Sequence, residues 1–166
     1  MDLSTVEPQV LSLGDALRRR GWHLASAESC TGGLIAAACT AVAGSSDWFE
    51  RGFVTYSNAA KSELLGVDPA LIAVQGAVSE AVVRAMAEGA VQRAGVELGV
   101  AVTGIAGPGG AVPGKPVGTV WLGLAQRGPA GAVEVRAERL QLDGDRAAVR
   151  EQTVRQALRR LLEAAA

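Results

Sequence analysis

Histidine and lysine are scarce in this chain of 166 residues, which contains only His23, Lys61 and Lys115. A catalytic pair or triad built on histidine would have to use His23, and a metal site with several histidine ligands is excluded within one chain. His23 lies in an apolar stretch, so we expect it to be structural. Arginine supplies the other 14 of the 16 positive charges, so we ask of each lysine why arginine does not occupy its position.

Cysteine is limited to Cys30 and Cys39, and aromatic residues make up only 4% of the chain. The offset of nine residues from one cysteine to the other corresponds to about 13 Å of rise along a helix, which is too far for an internal disulfide. They also lack the C-x-x-C spacing of a zinc or redox site. The core must be built from alanine, valine, leucine and isoleucine, and we expect neither a disulfide nor a bound metal.

The chain has no excess of positive charge and no long apolar run. Its formal net charge is −1, from 16 basic and 17 acidic residues, whereas a nucleic-acid-binding protein usually has a basic excess. No apolar run approaches the ~20 residues that cross a bilayer, and residues 1–9 do not resemble an export signal. We therefore expect a cytoplasmic protein that binds neither a membrane nor nucleic acid directly.

Helical and strand patterns alternate along the chain. Apolar spacing and capping residues predict helices over 5–20, 34–40, 59–65 and 80–94, and a last helix from a cap at Asp143 to about residue 163. Short apolar stretches predict strands over 22–27, 49–56, 98–102, 117–125 and 133–142, the last two forming a hairpin. The alternation predicts a single three-layer α/β domain over residues 1–166 with a mixed β-sheet.

Three polar loops, 28–33, 56–61 and 103–110, follow predicted strands. Ligands of open α/β sheets bind at the carboxyl ends of strands, so we expect these loops to converge on one cleft. No G-x-G-x-x-G or Walker pattern is present, so the sequence does not indicate a dinucleotide cofactor or a P-loop.

The first loop offers the hydroxyls of Ser29 and Thr31, followed by Gly32 and Gly33 at the start of a helix. Glycine lets backbone N–H groups approach a ligand, and a helix N-terminus favours an anion such as phosphate. The alternative is that both hydroxyls only cap the helix. Cys30 also lies at this helix start, but it has no adjacent base, so Ser29 is the preferred nucleophile.

The second loop contains Tyr56 and Lys61. A partly buried lysine can lose its proton and act as a base, and serine with lysine is the nucleophile–base pair that this chain can most readily form. A tyrosine hydroxyl can relay the proton. The alternative is a surface lysine beside a core tyrosine.

Thr103 and the glycine-rich run that follows it can present backbone amides to an anion or an oxyanion. Arg146 sits at the predicted start of the last helix, where it could clamp a phosphate. The alternatives are a tight structural turn and an exposed helix arginine.

Six motifs occur in order along the chain: Ala27–Gly33 (AESCTGG), Phe49–Asn58 with Lys61 (FERGFVTYSN), Gly76–Glu80 (GAVSE), Thr103–Gly110 (TGIAGPGG), Lys115–Val120 (KPVGTV) and Gly144–Arg146 (GDR). Together they resemble the C-terminal domain of the CinA family and cover nearly the whole chain. Larger CinA proteins carry an additional N-terminal domain that resembles molybdopterin-binding proteins, so this chain resembles the stand-alone form.

The resemblance implies hydrolysis of the carboxamide of nicotinamide mononucleotide, which gives nicotinic acid mononucleotide and ammonia in pyridine nucleotide salvage. It implies an α/β fold, a homodimer or higher oligomer, and no requirement for a metal or another cofactor. Residue by residue, Ser29 would attack the amide, Lys61 would be the base, and Tyr56 would assist proton transfer to ammonia. The substrate would be held by Glu28, Thr31, Gly32, Gly33, Thr103, Gly104 and Arg146, with backbone amides near Gly32, Gly33 or Gly104 stabilising the oxyanion.

Two other functions stay open on the sequence. A nucleotide-binding or regulatory module needs a phosphate-binding turn but no serine–lysine chemistry, and an amidohydrolase could act on another small amide. The presence of Ser29, Tyr56 and Lys61 together favours an enzyme, because a binding module would tolerate their replacement.

Overall fold

The strands form one mixed sheet, and the helices cover both of its faces. The computed structural model describes the whole chain, residues 1–166, and short 3₁₀ turns cover Leu3–Val6 and Ser45–Asp47. The strands are β1 (Leu24–Glu28), β2 (Phe49–Val54), β3 (Leu98–Gly104), β4 (Thr119–Arg127) and β5 (Val133–Gln141). The helices are α1 (Glu7–Arg20), α2 (Leu34–Thr40), α3 (Asn58–Leu65), α4 (Pro69–Gln75), α5 (Glu80–Ala94) and α6 (Arg146–Ala165).

The strand order in the sheet is β2-β1-β3-β4-β5. β1 runs parallel to both β2 and β3, whereas β4 is antiparallel to its neighbours β3 and β5. This topology confirms the predicted mixed sheet. Because β1, β2 and β3 point the same way, the loops that follow them meet at one edge of the sheet.

Two hydrophobic cores complete the three layers. One lies under α1, α2 and α6 around the buried Trp48, and the other lies under α3, α4 and α5. Helix α5 packs so closely on α3 that a Cβ at Gly89 would overlap the carbonyl oxygen of Leu65. This close packing fixes α3, which carries Lys61, against the sheet. None of the helices combines the length and the apolarity needed to cross a membrane.

The structure corrects two sequence expectations. The last helix begins after Asp145, whose carboxylate accepts a hydrogen bond from the Ala148 amide at 2.9 Å, and not after Asp143. His23 lies on the surface just before β1 and not within an apolar strand. The Glu97 carboxylate accepts its backbone N–H at 2.8 Å and lies 3.7 Å from its Nδ1. It precedes β1, whereas Ser29 follows the strand, so the two residues lie at opposite ends.

Candidate active site

The loops that follow β1, β2 and β3 enclose a cleft of about 210 Å³ at the shared edge of the sheet. The start of α6 closes its rim. Six of the residues singled out from the sequence line this cleft: Ser29, Tyr56, Lys61, Thr103, Gly104 and Arg146. The topology therefore brings together side chains that are far apart in the sequence.

Ser29 and Lys61 are in direct contact. Lys61 Nζ donates hydrogen bonds to Ser29 Oγ at 3.1 Å and to the carbonyl oxygen of Thr55 at 2.8 Å. Lys61 is only 1% exposed, which is rare for a lysine without a carboxylate partner. A buried lysine at hydrogen-bond distance from a serine hydroxyl is the geometry expected of a base and its nucleophile.

Burial lowers the pKa of Lys61, because the charged ammonium loses its hydration in this site. A negative charge on the nearby Cys30 thiol would have the opposite, smaller effect on this pKa. A lower pKa increases the fraction of neutral amine near neutral pH. In that form the Nζ lone pair can accept the proton of Ser29.

The local structure holds both partners in place. Ser57 accepts the Ala60 amide at 3.0 Å and so begins α3, whose first turn carries Lys61. The Thr55 amide donates to the Glu28 carbonyl at 2.8 Å and ties the end of β2 to the end of β1.

The carboxylate of Glu28 is fully buried beneath the first loop. It accepts the Thr31 hydroxyl at 2.6 Å and the amides of Gly33, Ile35 and Ala36 at 3.0, 3.0 and 2.8 Å. These bonds satisfy the free N–H groups at the start of α2. Thr31 is also fully buried. Both side chains therefore have a structural role in place of the substrate contact expected from the sequence.

The glycine amides of the first loop are already occupied. Gly32 N–H donates to the Ser29 carbonyl at 3.1 Å, and Gly33 N–H donates to the buried carboxylate. The amides of Cys30 and Thr31 donate to no other residue. The Gly32 and Gly33 amides expected as oxyanion donors are therefore engaged, whereas the Cys30 amide donates to no other residue and belongs to a residue that lines the cleft.

Cys30 lines the cleft beside Ser29, but its side chain belongs mainly to the core. The residue is 6% exposed, and burial raises the pKa of its thiol to about 12. The thiol stays protonated at neutral pH and is a poor nucleophile. This leaves the Ser29 hydroxyl as the candidate nucleophile of the cleft.

Tyr56 and Arg146 form the rim. Arg146 donates from Nη2 to the Tyr56 hydroxyl and from Nη1 to the Gly107 carbonyl, both at 3.0 Å. Tyr56 is 61% exposed, and its hydroxyl bonds neither Ser29 nor Lys61. Arg146 also lines a neighbouring cleft of about 550 Å³, so its guanidinium separates the two spaces.

Thr103 and Gly104 shape the opposite wall. The Thr103 hydroxyl donates to the Ala77 carbonyl at 2.9 Å, and the residue is 1% exposed, so it fixes the wall more than it offers a free donor. A Cβ at Gly104 would lie 2.9 Å from the Thr119 carbonyl oxygen, so β4 requires glycine there.

Sequence reasoning missed Arg150. Its Nε and Nη2 donate to the carbonyls of Cys30 and Thr31 at 3.2 and 2.9 Å. The available signal was its position one helical turn after Arg146, which places both arginines on the same face of α6. No group of three or more His, Cys, Asp or Glu side chains is arranged to hold a metal ion.

The fold and the site define an α/β protein with a serine in contact with a buried lysine at the edge of its sheet where β1, β2 and β3 end. Residues 7–165 match the family model described as the CinA C-terminal domain, and the chain belongs to this family.

Known proteins similar to this chain include two named nicotinamide-nucleotide amidohydrolase PncC. The protein from Pseudomonas putida is 54% identical over 151 residues, covering 91% of each chain. The protein from Enterobacter agglomerans is 54% identical over 140 residues, covering 84% of this chain and 83% of its own. A competence damage-inducible protein A from Klebsiella pneumoniae has the same fold, with a TM-score of 0.89, 40% identity and 95% of each chain covered.

Proposed function

We propose that this protein is an amidohydrolase that converts nicotinamide mononucleotide into nicotinic acid mononucleotide and ammonia. The observation that supports it most directly is the contact between Lys61 Nζ and Ser29 Oγ at 3.1 Å, with the lysine buried and free of any carboxylate. The two relatives of matching length, both named for this amidohydrolase activity, indicate the substrate.

The shape and charge of the site suit this substrate. The smaller cleft contains Ser29 and Lys61, and it suits the ring with its carboxamide. The neighbouring cleft lies on the other side of Arg146 and suits the phosphate, because a guanidinium forms charge-assisted hydrogen bonds with phosphate oxygens.

In the first step, neutral Lys61 accepts the Ser29 proton while Oγ forms a bond to the carboxamide carbon. The amide carbonyl oxygen becomes an oxyanion, which the N–H group of Cys30, directly after Ser29 in the lining of the cleft, stabilises. One such donor contributes roughly 3–4 kcal/mol to lowering the barrier.

In the second step, the carbon–nitrogen bond breaks and the Lys61 ammonium gives its proton to the departing nitrogen, which leaves as ammonia. A water molecule then attacks the ester on Ser29, with Lys61 again accepting a proton. The ester bond breaks, Ser29 regains its proton, and the carboxylate product is released. Tyr56, at the rim, would assist proton transfer to ammonia only after a shift of its hydroxyl away from Arg146.

The first test is to incubate the purified protein with nicotinamide mononucleotide, without added metal, and to measure both products. Turnover should be lost in Ser29→Ala and kept in Ser62→Ala, a matched change in a serine whose hydroxyl bonds only the Asn58 carbonyl of its own helix. Binding of the nucleotide without turnover would favour a regulatory module. Absence of both would favour a different small amide as the substrate.

We also propose that the protein acts in the cytoplasm as a homo-oligomer. Two unpaired cysteines support a reducing compartment, and Val54 and Tyr56, 47% and 61% exposed, leave apolar surface beside the cleft for a second subunit. Light scattering at micromolar concentration should give the mass of a dimer or a larger assembly. A monomeric mass would contradict the oligomer, and recovery in a membrane or extracellular fraction would contradict the location.

A further inference from the structure

Arg150 reaches from α6 to the loop that carries the nucleophile, 120 residues away along the chain. Its Nε donates to the Cys30 carbonyl at 3.2 Å and its Nη2 to the Thr31 carbonyl at 2.9 Å. Nε–H and one N–H of Nη2 point in parallel from the rigid guanidinium, so the two carbonyls are held in a fixed mutual orientation.

This contact determines where the neighbouring amides point. A trans peptide is planar, so its N–H points away from its own C=O. With the Cys30 carbonyl turned toward Arg150, the N–H of Thr31 is turned away from it. The Thr31 carbonyl fixes the next amide in the same way, and that amide, Gly32 N–H, donates back to the Ser29 carbonyl at 3.1 Å.

The result is a short turn after Ser29 whose carbonyls bind the arginine and whose first amide, that of Cys30, donates to no other residue and belongs to a residue that lines the cleft. Without the guanidinium, nothing else in the structure donates to the Cys30 carbonyl, and the Thr31 carbonyl keeps only the Leu34 amide, at 3.4 Å. The turn could then loosen, the Gly32 amide could leave the Ser29 carbonyl, and the Ser29–Cys30 peptide could rotate to present that carbonyl oxygen where an oxyanion needs a donor.

We propose that Arg150 is a positioning residue for catalysis, which holds the turn after Ser29 so that the N–H group of Cys30 forms the oxyanion site beside Ser29. This proposal rests on the proposed function, because an oxyanion arises only if Ser29 attacks a carbonyl. Arg150 acts through the loop and contacts no reacting atom.

A competing role for Arg150 is that of a substrate ligand, and kinetic constants distinguish that role from the proposed one. Arg150 also lines the neighbouring cleft with Arg146, so it could bind the substrate phosphate directly. Loss of a phosphate ligand raises KM and leaves kcat nearly unchanged, whereas loss of oxyanion stabilisation lowers kcat with little effect on KM.

The experiment compares Arg150→Ala and Arg150→Lys with the unmodified protein in turnover of nicotinamide mononucleotide. We expect kcat to fall about 10²–10³-fold in Arg150→Ala, with KM changed less than about threefold. Arg150→Lys keeps the positive charge but lacks the two parallel N–H donors of a guanidinium, so its kcat should stay close to that of Arg150→Ala. Free guanidinium ion, added at millimolar concentration to Arg150→Ala, should restore part of kcat.

The matched control is Arg155→Ala, on the same helix, whose guanidinium bonds Thr5 and Glu151 away from the cleft. It should leave kcat unchanged. The proposal is overturned by a kcat of Arg150→Ala within about threefold of the unmodified protein, by an equal loss in the control, or by a rise in KM alone. Should Arg150→Ala fail to fold, the same limits apply to Arg150→Lys.

A substrate-independent readout separates this proposal from the proposed function. A fluorophosphonate probe reacts when Ser29 Oγ bonds to its phosphorus, fluoride leaves and Lys61 accepts the serine proton. Its P=O oxygen needs the same amide donor. If the unmodified protein reacts with the probe but does not hydrolyse the nucleotide, and Arg150→Ala is labelled more slowly, then the role of Arg150 is supported and the proposed substrate is rejected. An unmodified protein that neither hydrolyses the nucleotide nor reacts with the probe would overturn both.

Discussion

Lys61 Nζ lies 3.1 Å from Ser29 Oγ, although 32 residues separate the two in the chain. The contact depends on three fixed points: the end of β1, the end of β2 and the first turn of α3. Each is held by backbone hydrogen bonds or close packing, so the pair is preorganised before any substrate binds.

Replacement of Lys61 by arginine should remove the base while keeping a positive charge. Arginine cannot lose its proton near neutral pH, so kcat should fall by about 10²–10⁴-fold. The measurement is steady-state turnover of the nucleotide. Lys115→Arg is the matched control, because Lys115 Nζ bonds the Gln75 carbonyl at 3.3 Å and lies outside the smaller cleft. An unchanged kcat in Lys61→Arg would exclude Lys61 as the base.

The rate should rise with pH, because Lys61 must be neutral to accept the Ser29 proton. Burial lowers the pKa of Lys61, so the midpoint of the rise in kcat/KM should fall below the unperturbed lysine value of about 10.4. A profile of kcat/KM from pH 6 to about 10.5 tests this. A rise with its midpoint at or above that ordinary value would contradict the effect of burial.

The same shift predicts how stability depends on pH. Between the lowered pKa of Lys61 in the folded protein and the value of about 10.4 in the unfolded chain, the unfolded chain binds more protons than the folded protein. The free energy of unfolding therefore increases with pH in this window. Below the window, this contribution is constant. Chemical denaturation measures the free energy of unfolding of the unmodified protein and of Lys61→Met. The value for the unmodified protein should increase relative to that of Lys61→Met as the pH rises. A difference that does not change with pH would contradict the prediction.

Arg146 and Arg150 should affect different kinetic constants. Arg146→Ala removes the charge between the two clefts, and loss of a charge-assisted bond to phosphate, worth about 1.5–3 kcal/mol, corresponds to a rise in KM of about 10–100-fold. The measurement is KM for the nucleotide and for the corresponding nucleoside without phosphate. If the nucleoside suffers as much as the nucleotide, Arg146 does not bind the phosphate.

Glu28→Gln should lower the free energy of unfolding by about 3 kcal/mol, since an NH₂ group would replace one of two oxygens that accept hydrogen bonds in the interior. The affected donors are the Thr31 hydroxyl and the first amides of α2. Chemical denaturation measures the loss. The exposed Glu63→Gln on α3 is the control and should change stability by less than about 0.5 kcal/mol. Equal stability of the two variants would show that the Glu28 bonds contribute little.

Much of the fold could be predicted from the sequence. The helices 34–40 and 80–94 have the predicted bounds: Ser79 and Gly95 mark the two ends of the second, whereas the first is marked only by Gly33 before it. The two strands of the hairpin differ by a few residues, since strand ends carry weaker local signals. Asp143 was predicted as a cap because an aspartate precedes an apolar pattern there, but Asp145 has the same chemistry and lies closer to the helix.

The residue types also determined the chemistry that was available. With one histidine and two lysines in the chain, a serine–lysine pair was the most available source of a nucleophile and a base, and the ordered motifs indicated the family. Composition does not depend on folding, so these exclusions hold without a structure.

Only the tertiary structure decided which groups are free to act. Glu28 and Thr31 had the residue types of ligands, but burial beneath α2 commits their side chains to each other and to the helix amides. The only signal for Arg150 was its place one helical turn after Arg146, and its partners are carbonyls that lie 119 and 120 residues away. Whether a polar group binds a ligand depends on whether the fold has already satisfied its hydrogen bonds, and that is a property of three-dimensional contacts and not of residue type.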